Sequence, residues 1–155
     1  MVSKAVLTVI CVTVFVLVSG CTQREPQYTL LDGQSIQFSD LHGRLILINY
    51  WAIWCKPCRE EIPELNRFAA EKSDQVAVFG LNYDKALGEE LRQQVETMGI
   101  TFPTLLEDPK QWYLIKSSGV LPETLVFDTE GNYQKTLIGP QTCAALEKLL
   151  DTSTD

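Results

Sequence analysis

The sequence has a single histidine, and this scarcity bears on metal chemistry. A structural zinc site needs a full set of nitrogen and sulfur ligands at short, regular spacings. Apart from one closely spaced cysteine pair, the candidates are His42, Cys11, Cys21 and Cys143, which are scattered along the chain without such spacing. The sequence therefore gives little support to a metal site.

An excess of positive charge is also missing. The formal net charge is −7 over 155 residues, and an acidic surface argues against nucleic acid or anionic lipid headgroups as partners. The sequence shows no internal repeat, no low-complexity segment and no sign of a second domain. The length suits one compact domain, which we expect to be monomeric.

No apolar run reaches the ~20 residues that a membrane-spanning helix needs. The longest run, residues 5–18, follows Lys4 and ends in small residues before Cys21. A positive residue, a short apolar stretch and small residues together predict a secretory signal peptide in residues 1–20. The alternative is an uncleaved hydrophobic anchor or an ordinary signal cut nearby. Each of these places the rest of the chain outside the cytoplasm.

Val-Ser-Gly-Cys at residues 18–21 resembles the lipobox of bacterial lipoproteins, in which cleavage precedes the cysteine and the cysteine carries the lipid. The resemblance implies that Cys21 is the lipidated N-terminus of the mature chain and that residues 21–27 tether the domain to a membrane. Thr22 stands where an aspartate often marks inner-membrane retention. Its presence favours the outer membrane weakly.

The cysteines with the shortest spacing are Cys55 and Cys58, which follow an apolar run over residues 45–50 and precede a helical pattern. A cysteine at a helix N-terminus lies at the positive end of the helix dipole, which favours the thiolate. The thiolate is the nucleophile of disulfide exchange. We predict that Cys55 is the attacking, more exposed thiol and that Cys58 is buried and resolves the mixed disulfide.

Residues 51–58, Trp-Ala-Ile-Trp-Cys-Lys-Pro-Cys, resemble the thioredoxin active site. The longer run over residues 47–65 is similar to the membrane-tethered, thioredoxin-like reductases of the extracytoplasmic side, the TlpA/ResA/DsbE type. The resemblance covers most of the chain from about Tyr28 and implies a thioredoxin-like domain in residues 28–155. It also implies a thiol-disulfide oxidoreductase whose redox group is the Cys55–Cys58 pair, without a cofactor.

Hydrophobic periodicity predicts an α/β fold with an N-terminal β-hairpin around Asp32-Gly33. Consecutive apolar residues predict strands that are buried on both faces, and Pro63 predicts a kink or restart in the first helix. The other predicted elements are strands at 45–48, 76–81, 104–106, 123–127 and 133–138, and helices after Cys58, at 88–98, from Asp108 to about Ser117, and from residue 140 or 141.

The order of the predicted elements resembles a thioredoxin fold with a helix and a strand inserted between its two halves. In the helix from Asp108, Trp112 and Ile115 are three residues apart and are expected in the core.

The two residues between the cysteines tune the redox chemistry. In the strong oxidants of the family that this chain resembles, a histidine lies between the two cysteines. This chain has Lys56 and Pro57 at those positions. Lys56 gives modest electrostatic help to the thiolate, unless it is simply a solvated charge, and Pro57 stiffens the turn. We expect a reductant, nearer to thioredoxin at ~−270 mV than to the oxidant DsbA at ~−120 mV.

A proton acceptor for the buried cysteine is the next question. Asn49 stands where cytoplasmic thioredoxins have a buried aspartate, and an amide cannot take up the proton. Glu61 lies one helical turn after Cys58 and matches a glutamate of the tethered reductases, while Glu123 is the second candidate. Either carboxyl group would need burial to raise its pKa; the alternative is that both are ordinary exposed acids.

Substrate binding is expected at the loop Gly119-Val-Leu121-Pro122-Glu123-Thr, which resembles the loop whose cis-proline faces the active-site disulfide. The resemblance implies that the backbone of Leu121 pairs with an extended substrate. Trp54 is expected to lie partly exposed over Cys55, and Trp51 in the core. Pro-Glu-Thr is similar to the cytochrome c maturation branch in particular.

The function that these observations favour is a lipid-anchored reductase of disulfides in exported proteins, with the haem-binding cysteine pair of apocytochrome c as one candidate substrate. Its electrons would come from a membrane thiol carrier. An oxidase or isomerase of the same fold is the main alternative. A peroxidase would need a threonine where Ala52 stands, and a copper-handling assembly lipoprotein would need Cys-x-x-x-Cys and a distant histidine. Cys143 is expected to be a buried structural thiol, with a regulatory disulfide as the alternative.

Overall fold

The computed structural model describes residues 25–152. The predicted signal peptide, the predicted lipidation site Cys21 and the first residues of the predicted tether lie outside this range. Glu25 contacts the domain: its carboxylate accepts the backbone N–H of Ser39 at 2.9 Å and its carbonyl accepts the Gln37 amide at 3.2 Å. Within residues 25–152, no helix has the length and apolar composition to cross a membrane.

The secondary structure follows the predicted order except for the helix predicted between β5 and β6. The elements are β1 (Tyr28–Thr29), β2 (Ser35–Ile36), β3 (Leu45–Trp51), α1 (Lys56–Glu71), β4 (Val76–Asn82), α2 (Gly88–Met98), β5 (Thr104–Leu105), β6 (Glu123–Phe127), β7 (Tyr133–Ile138) and α3 (Cys143–Thr152). β1 and β2 form the N-terminal hairpin, and the other strands form one sheet in the order β5-β4-β3-β6-β7. The inserted helix and strand are α2 and β5, and β5 pairs with the outer side of β4.

The sheet mixes parallel and antiparallel pairs. β3, β4 and β5 are parallel, whereas β6 runs antiparallel to β3 and β7 antiparallel to β6. Every residue of β3 and β4 is buried, as their unbroken apolar runs predict for strands covered on both faces.

Alternation along β3 separates the two cores. Leu47 and Trp51 point to the face that α1, α2 and α3 cover, whereas Ile48 and Tyr50 point to the face that the N-terminal hairpin covers. Successive side chains of a strand point to opposite faces. Asn49 therefore points towards the helices, and its neighbour Tyr50 points away from them.

The prediction of a helix from Asp108 to about Ser117 is wrong. Asp108 does cap a helical turn, because its carboxylate accepts the N–H of Lys110 at 2.9 Å, but only the 3₁₀ turn Pro109–Gln111 forms. Leu114 has φ = 53°, and a left-handed residue ends a right-handed helix. Trp112 is 48% exposed rather than in the core, and Ile115 is half-buried.

The three α-helices can be compared with the predictions made for Pro63, Gly99 and the start of the last helix. α1 continues through Pro63 without restarting, because the buried Ile62, Leu65 and Phe68 hold it against the sheet on either side. α2 ends at Gly99 with φ = 69°, as a glycine C-cap requires. α3 begins at Cys143, two or three residues later than predicted, after the Thr142 hydroxyl accepts the N–H of Ala145 at 3.2 Å.

Candidate active site

The turn from β3 into α1 carries the two cysteines. Cys55 is the N-cap of α1 in an extended conformation, and Pro57 lies in the first turn, where its fixed φ suits a helix and its missing N–H costs nothing. Cys55 and Cys58 form a disulfide with an S–S distance of 1.98 Å. The backbone N–H of Cys58 donates to Sγ of Cys55 at 3.2 Å. The positive end of the helix therefore faces the sulfur of Cys55, which favours a thiolate there after reduction.

The expected exposure of Cys55 needs a correction. Cys55 is 3% exposed and Cys58 is fully buried, so the predicted ranking holds but the sulfur of Cys55 is largely covered. Both cysteines belong to the helix-side core together with Ile62, and Leu121 packs against that core. A substrate must therefore approach the sulfur of Cys55 closely.

Trp54, which directly precedes Cys55 in the sequence, is an exposed aromatic residue. Its side chain is 63% exposed, its indole N–H donates to the Asp84 carboxylate at 2.8 Å, and its ring meets the ring of Tyr83 edge-on at 6.3 Å. Trp51 is buried in the core, as expected. Lys56 is exposed to solvent.

The loop before β6 has the backbone that the resemblance implies. The peptide bond between Leu121 and Pro122 is cis. The carbonyl of Pro122 accepts the N–H of Gly139 at 2.9 Å, which joins this loop to the segment that leads into α3. Leu121 packs against both cores of the sheet, one of which contains the two cysteines.

Glu61 is a buried residue of α1, the helix that begins at the disulfide. It is 1% exposed, and its two carboxylate oxygens accept Nδ2 of Asn49 at 2.8 Å and the backbone N–H of Gln141 at 3.0 Å. Burial raises the pKa of Glu61 to about 7, and the two hydrogen bonds lower it in part. A carboxyl group that titrates near neutral pH can both accept and release a proton under ordinary conditions.

Glu123 lies in a different environment, on the other face of the sheet. It is also 1% exposed, but its carboxylate contacts the ammonium group of Lys110 at 2.6 Å. Nζ of Lys110 is 4.0 Å from the centre of the Tyr50 ring, and the Tyr50 hydroxyl donates to Asp108 at 2.6 Å. Lys110 has no counterpart in the sequence predictions, because nothing in its local pattern signals a contact with a residue thirteen positions away.

The remaining cysteine and histidine lie away from this chemistry. Cys143 is a buried free thiol at the start of α3, and its backbone N–H donates to the Glu64 carboxylate at 2.8 Å. His42 is exposed. Among residues 25–152, no cluster of three or more histidine, cysteine or acidic side chains has the arrangement of a metal site.

A disulfide at the N-terminus of the helix after the central strand, together with a cis-proline before β6, defines a thioredoxin-like thiol-disulfide oxidoreductase. Residues 22–136 match the AhpC/TSA family. The match covers most of the chain, which therefore belongs to this family.

Relatives and solved structures agree with this class. The thioredoxin-like protein YneN of Bacillus subtilis (strain 168) is 33% identical over 133 residues, which cover 83% of this chain and 78% of YneN. The thiol-disulfide oxidoreductase ResA of Bacillus thuringiensis (strain Al Hakam) is 30% identical over 123 residues, which cover 79% of this chain and 70% of ResA. The pneumococcal exposed lipoprotein thioredoxin Etrx1 of Streptococcus pneumoniae strain TIGR4 matches with a TM-score of 0.67 and 22% identity over 83% of this chain and 99% of its own. This last likeness supports the fold.

Proposed function

We propose that the protein reduces disulfides in exported proteins from a position outside the cytoplasm, where lipidated Cys21 anchors it to a membrane. The observation that carries the proposal is the Cys55–Cys58 disulfide at the start of α1, one helical turn from the buried carboxyl group of Glu61. The arrangement supplies a stabilised thiolate, a resolving thiol and a proton acceptor within two turns of helix.

In the first step, the Cys55 thiolate attacks one sulfur of a substrate disulfide. A bond forms between Cys55 and that sulfur, the substrate S–S bond breaks, and the departing substrate sulfur leaves as a thiolate that takes a proton from water. The cis-Pro122 loop supports this step, because an extended substrate segment can pair with the backbone at Leu121. Trp54 provides an exposed apolar surface beside the reacting sulfur.

In the second step, Cys58 loses its proton and attacks Sγ of Cys55. The Cys55–Cys58 disulfide re-forms and the second substrate sulfur leaves, so two electrons pass from the dithiol to the substrate. Cys58 is fully buried, so bulk water does not reach its thiol and the proton needs an acceptor inside the protein. Glu61, with its pKa raised to about 7, is the acceptor that we assign to this proton.

Glu123 is less suited to accept the proton, although it is equally buried. Its carboxylate contacts the Lys110 ammonium, and protonation would leave that buried cation without its partner. We assign Glu123 and Lys110 to support of the substrate loop, since Glu123 directly follows Pro122.

The direction of electron flow rests on the residues between the cysteines. Lys56 and Pro57 lack the histidine that further stabilises the reduced thiolate in strong oxidants, so we propose a reducing potential nearer to ~−270 mV than to ~−120 mV. The protein must itself be re-reduced outside the cytoplasm, and a membrane thiol carrier is the proposed donor. Apocytochrome c is a candidate substrate, because Pro122-Glu123-Thr124 is similar to the cytochrome c maturation branch.

The proposed location rests on the sequence before the described residues. The lipobox-like run at residues 18–21 supports a lipid anchor at Cys21, and Thr22 weakly favours the outer membrane. The structural neighbour from Streptococcus pneumoniae is described as an exposed lipoprotein. Labelling of cells with a radioactive fatty acid tests the anchor: the Cys21→Ser chain should lose the label that the unaltered chain carries.

Trapping of mixed disulfides tests the function. In a Cys143→Ser background, the Cys58→Ser variant should accumulate covalent adducts with exported proteins, because the resolving thiol is absent and Cys55 stays linked to its substrate. Dithiothreitol should release these adducts. The matched Cys55→Ser variant should trap far fewer proteins, and the opposite result would reverse the two roles.

The reduction potential of the Cys55–Cys58 pair tests whether the protein acts as a reductant. Equilibration of the Cys55–Cys58 pair in defined redox buffers should give a value near ~−270 mV. A value close to ~−120 mV would favour the alternative of an oxidase or isomerase.

A further inference from the structure

The amide of Asn49 joins β3 to both Glu61 and β6. Asn49 is fully buried, and its Nδ2 donates to the Glu61 carboxylate at 2.8 Å and to Oγ1 of Thr124 at 3.0 Å. Its Oδ1 is also buried, and within residues 25–152 it has no hydrogen-bond partner. The donor side of the amide is therefore fully used, whereas the acceptor side is free.

This arrangement suits Glu61 only as a carboxylate. Both carboxylate oxygens accept N–H groups, one from Asn49 and one from the backbone of Gln141. A protonated carboxyl group also carries an O–H that needs an acceptor, and neither of these N–H groups can accept. When Glu61 takes up a proton, neither of these two partners accepts its O–H unless one of them moves.

The backbone at Gln141 is the more firmly held of the two partners. The side chain of Gln141 donates to the carbonyl of Gly139 at 2.8 Å, and Gly139 donates to Pro122 at 2.9 Å. Two residues further on, the N–H of Cys143 binds Glu64. Moving this segment would disturb the start of α3, whereas the Asn49 amide rotates about one side-chain torsion with a broad, roughly two-fold energy profile.

We propose that Asn49 is an amide switch, whose side chain inverts when Glu61 is protonated and returns when Glu61 loses the proton, with Thr124 as its partner in both positions. After inversion, Oδ1 of Asn49 lies where Nδ2 was and accepts the O–H of Glu61. The hydroxyl of Thr124 accepts from the amide in one position and donates to it in the other, as a hydroxyl group can.

Both positions leave one end of the amide without a partner, which keeps the two states close in energy. In the ionised state the free group is Oδ1, and in the protonated state it is the NH₂ group. Each state therefore carries one desolvation cost of similar kind. Asn49 acts as a positioning residue, and this inference rests on the proposed role of Glu61 as the proton acceptor.

The surroundings of Glu61 contain few other titratable groups. Cys58 precedes it by one turn on α1, Cys143 and Glu64 meet at the start of α3, and Arg67 pairs with Glu64 at 2.9 Å towards solvent. Glu123 and Lys110 lie on the other face of the sheet, because they pack with Tyr50. Of these titratable groups, Glu61 is the one that is hydrogen-bonded to the Asn49 amide, so its protonation acts most directly on that amide.

Nuclear magnetic resonance on the oxidised chain tests the switch directly. The ¹³Cδ shift of Glu61 reports its protonation, and the nuclear Overhauser effect between the Asn49 amide protons and the Thr124 side chain reports the orientation of the amide. We expect this effect to fall by at least about threefold as pH decreases through the Glu61 midpoint. An unchanged effect across the whole titration would show a fixed amide and overturn the proposal.

The Glu61→Gln variant provides a second test, because a glutamine at this position resembles the protonated acid. Its NH₂ group needs an acceptor at Asn49, so the effect between Asn49 and Thr124 should be weak at every pH. An effect as strong as that of the ionised parent protein would contradict the switch. The pH series on the parent chain stands even where this variant does not fold.

A matched pair at Thr124 tests the partner. Thr124→Ser keeps the hydroxyl and should leave hydrogen exchange of the Asn49 amide within about twofold of the parent rate. Thr124→Val has a similar shape without the hydroxyl and should accelerate that exchange at least about tenfold. Equal rates in the two variants would remove Thr124 from the switch.

These measurements use oxidised protein without substrate, so they separate the switch from the proposed function. If Glu61→Gln left disulfide exchange unaffected, the catalytic role of Glu61 would fail while the amide inversion could still be observed. A fixed amide, in contrast, would overturn the switch and leave the catalytic role of Glu61 standing.

Discussion

Glu61 and Glu123 are buried to the same extent, 1% exposed each, but their partners differ. Glu61 meets two neutral N–H donors, whereas Glu123 contacts an ammonium group. A neutral donor only partly offsets the desolvation of a carboxylate, while a buried cation would be left unpaired if its carboxylate were neutralised. The charge of the partner therefore distinguishes the two equally buried carboxyl groups, and it is the reason that we propose Glu61 as the proton acceptor.

The register of two neighbouring strands separates these environments. Asn49 pairs with Thr124, and Tyr50 pairs with Glu123. Since adjacent pairs point to opposite faces of a sheet, the first pair faces Glu61 and the helices, and the second faces Lys110. The active-site disulfide and the ion pair thus lie at the same end of the sheet but on different faces.

The largest effect that we predict is loss of stability on removal of the Lys110 charge. Lys110→Met leaves Glu123 buried without its cation, which should lower the free energy of unfolding by about 3–5 kcal/mol. The double variant Lys110→Met/Glu123→Gln should recover most of this loss, because no unpaired charge remains. Urea unfolding at pH 7 measures both.

Lys116→Met is the control for this prediction. Lys116 is exposed in the segment that follows Lys110, so its replacement should change the free energy of unfolding by less than about 0.5 kcal/mol. If Lys110→Met cost no more than this control, Glu123 would not depend on its ion pair.

The second prediction concerns the pH dependence of stability in the oxidised protein. The pKa of Glu61 is raised from 4.5 to about 7 in the folded state, so the unfolded chain loses this proton first as pH rises. The stability that protonated Glu61 contributes is fully present below pH 4.5 and is lost as pH rises to about 7. The loss is about 3 kcal/mol, at roughly 1.4 kcal/mol per pH unit.

Glu61→Gln should flatten this dependence, because glutamine does not titrate. Subtracting the unfolding free energies of this variant from those of the parent protein across pH 4.5 to 8 isolates the contribution of Glu61. A parallel pair of curves would mean that Glu61 ionises normally in the folded protein.

The smallest effect is expected at Glu64, a third glutamate one turn further along α1. Glu64 is half-buried and accepts the N–H of Cys143 at the start of α3, where a carboxylate contributes about 0.3–1 kcal/mol. Glu64→Gln should therefore cost at most about 1 kcal/mol and leave the slope of stability against pH between 4.5 and 7 unchanged. A changed slope would assign part of the titration to Glu64 instead of Glu61.

The sequence predicts the elements in which local pattern and packing agree. The unbroken apolar runs of β3 and β4 and the spacing of α2, with Gly99 at its end, are found as predicted. The helix from Asp108 fails because Leu114 adopts a left-handed conformation, which a leucine does not signal. The sulfur of Cys55 is covered because the residue packs in a core built from distant elements, which the local sequence does not signal.

The candidate site also has some features that the sequence predicts and others that it does not. The positions of Cys55, Cys58 and Glu61 on one helix follow from sequence spacing, because one turn separates each from the next. The bond between Asn49 and Glu61 and the ion pair between Lys110 and Glu123 join residues from separate elements. Such contacts depend on strand register, which the sequence alone leaves open, and so our proposal of Glu61 over Glu123 rests on contacts that the sequence does not predict.

The rate of the resolving step against pH tests the central claim most directly. Rapid-quench kinetics with a preformed mixed disulfide between Cys55 and a peptide would follow release of the peptide by Cys58 in the parent protein, Glu61→Gln and Glu123→Gln. We predict that Glu61→Gln slows release about 100-fold at pH 7 and removes the pH midpoint due to the carboxyl group, whereas Glu123→Gln leaves that midpoint in place. A midpoint that survives in Glu61→Gln and disappears in Glu123→Gln would contradict the account.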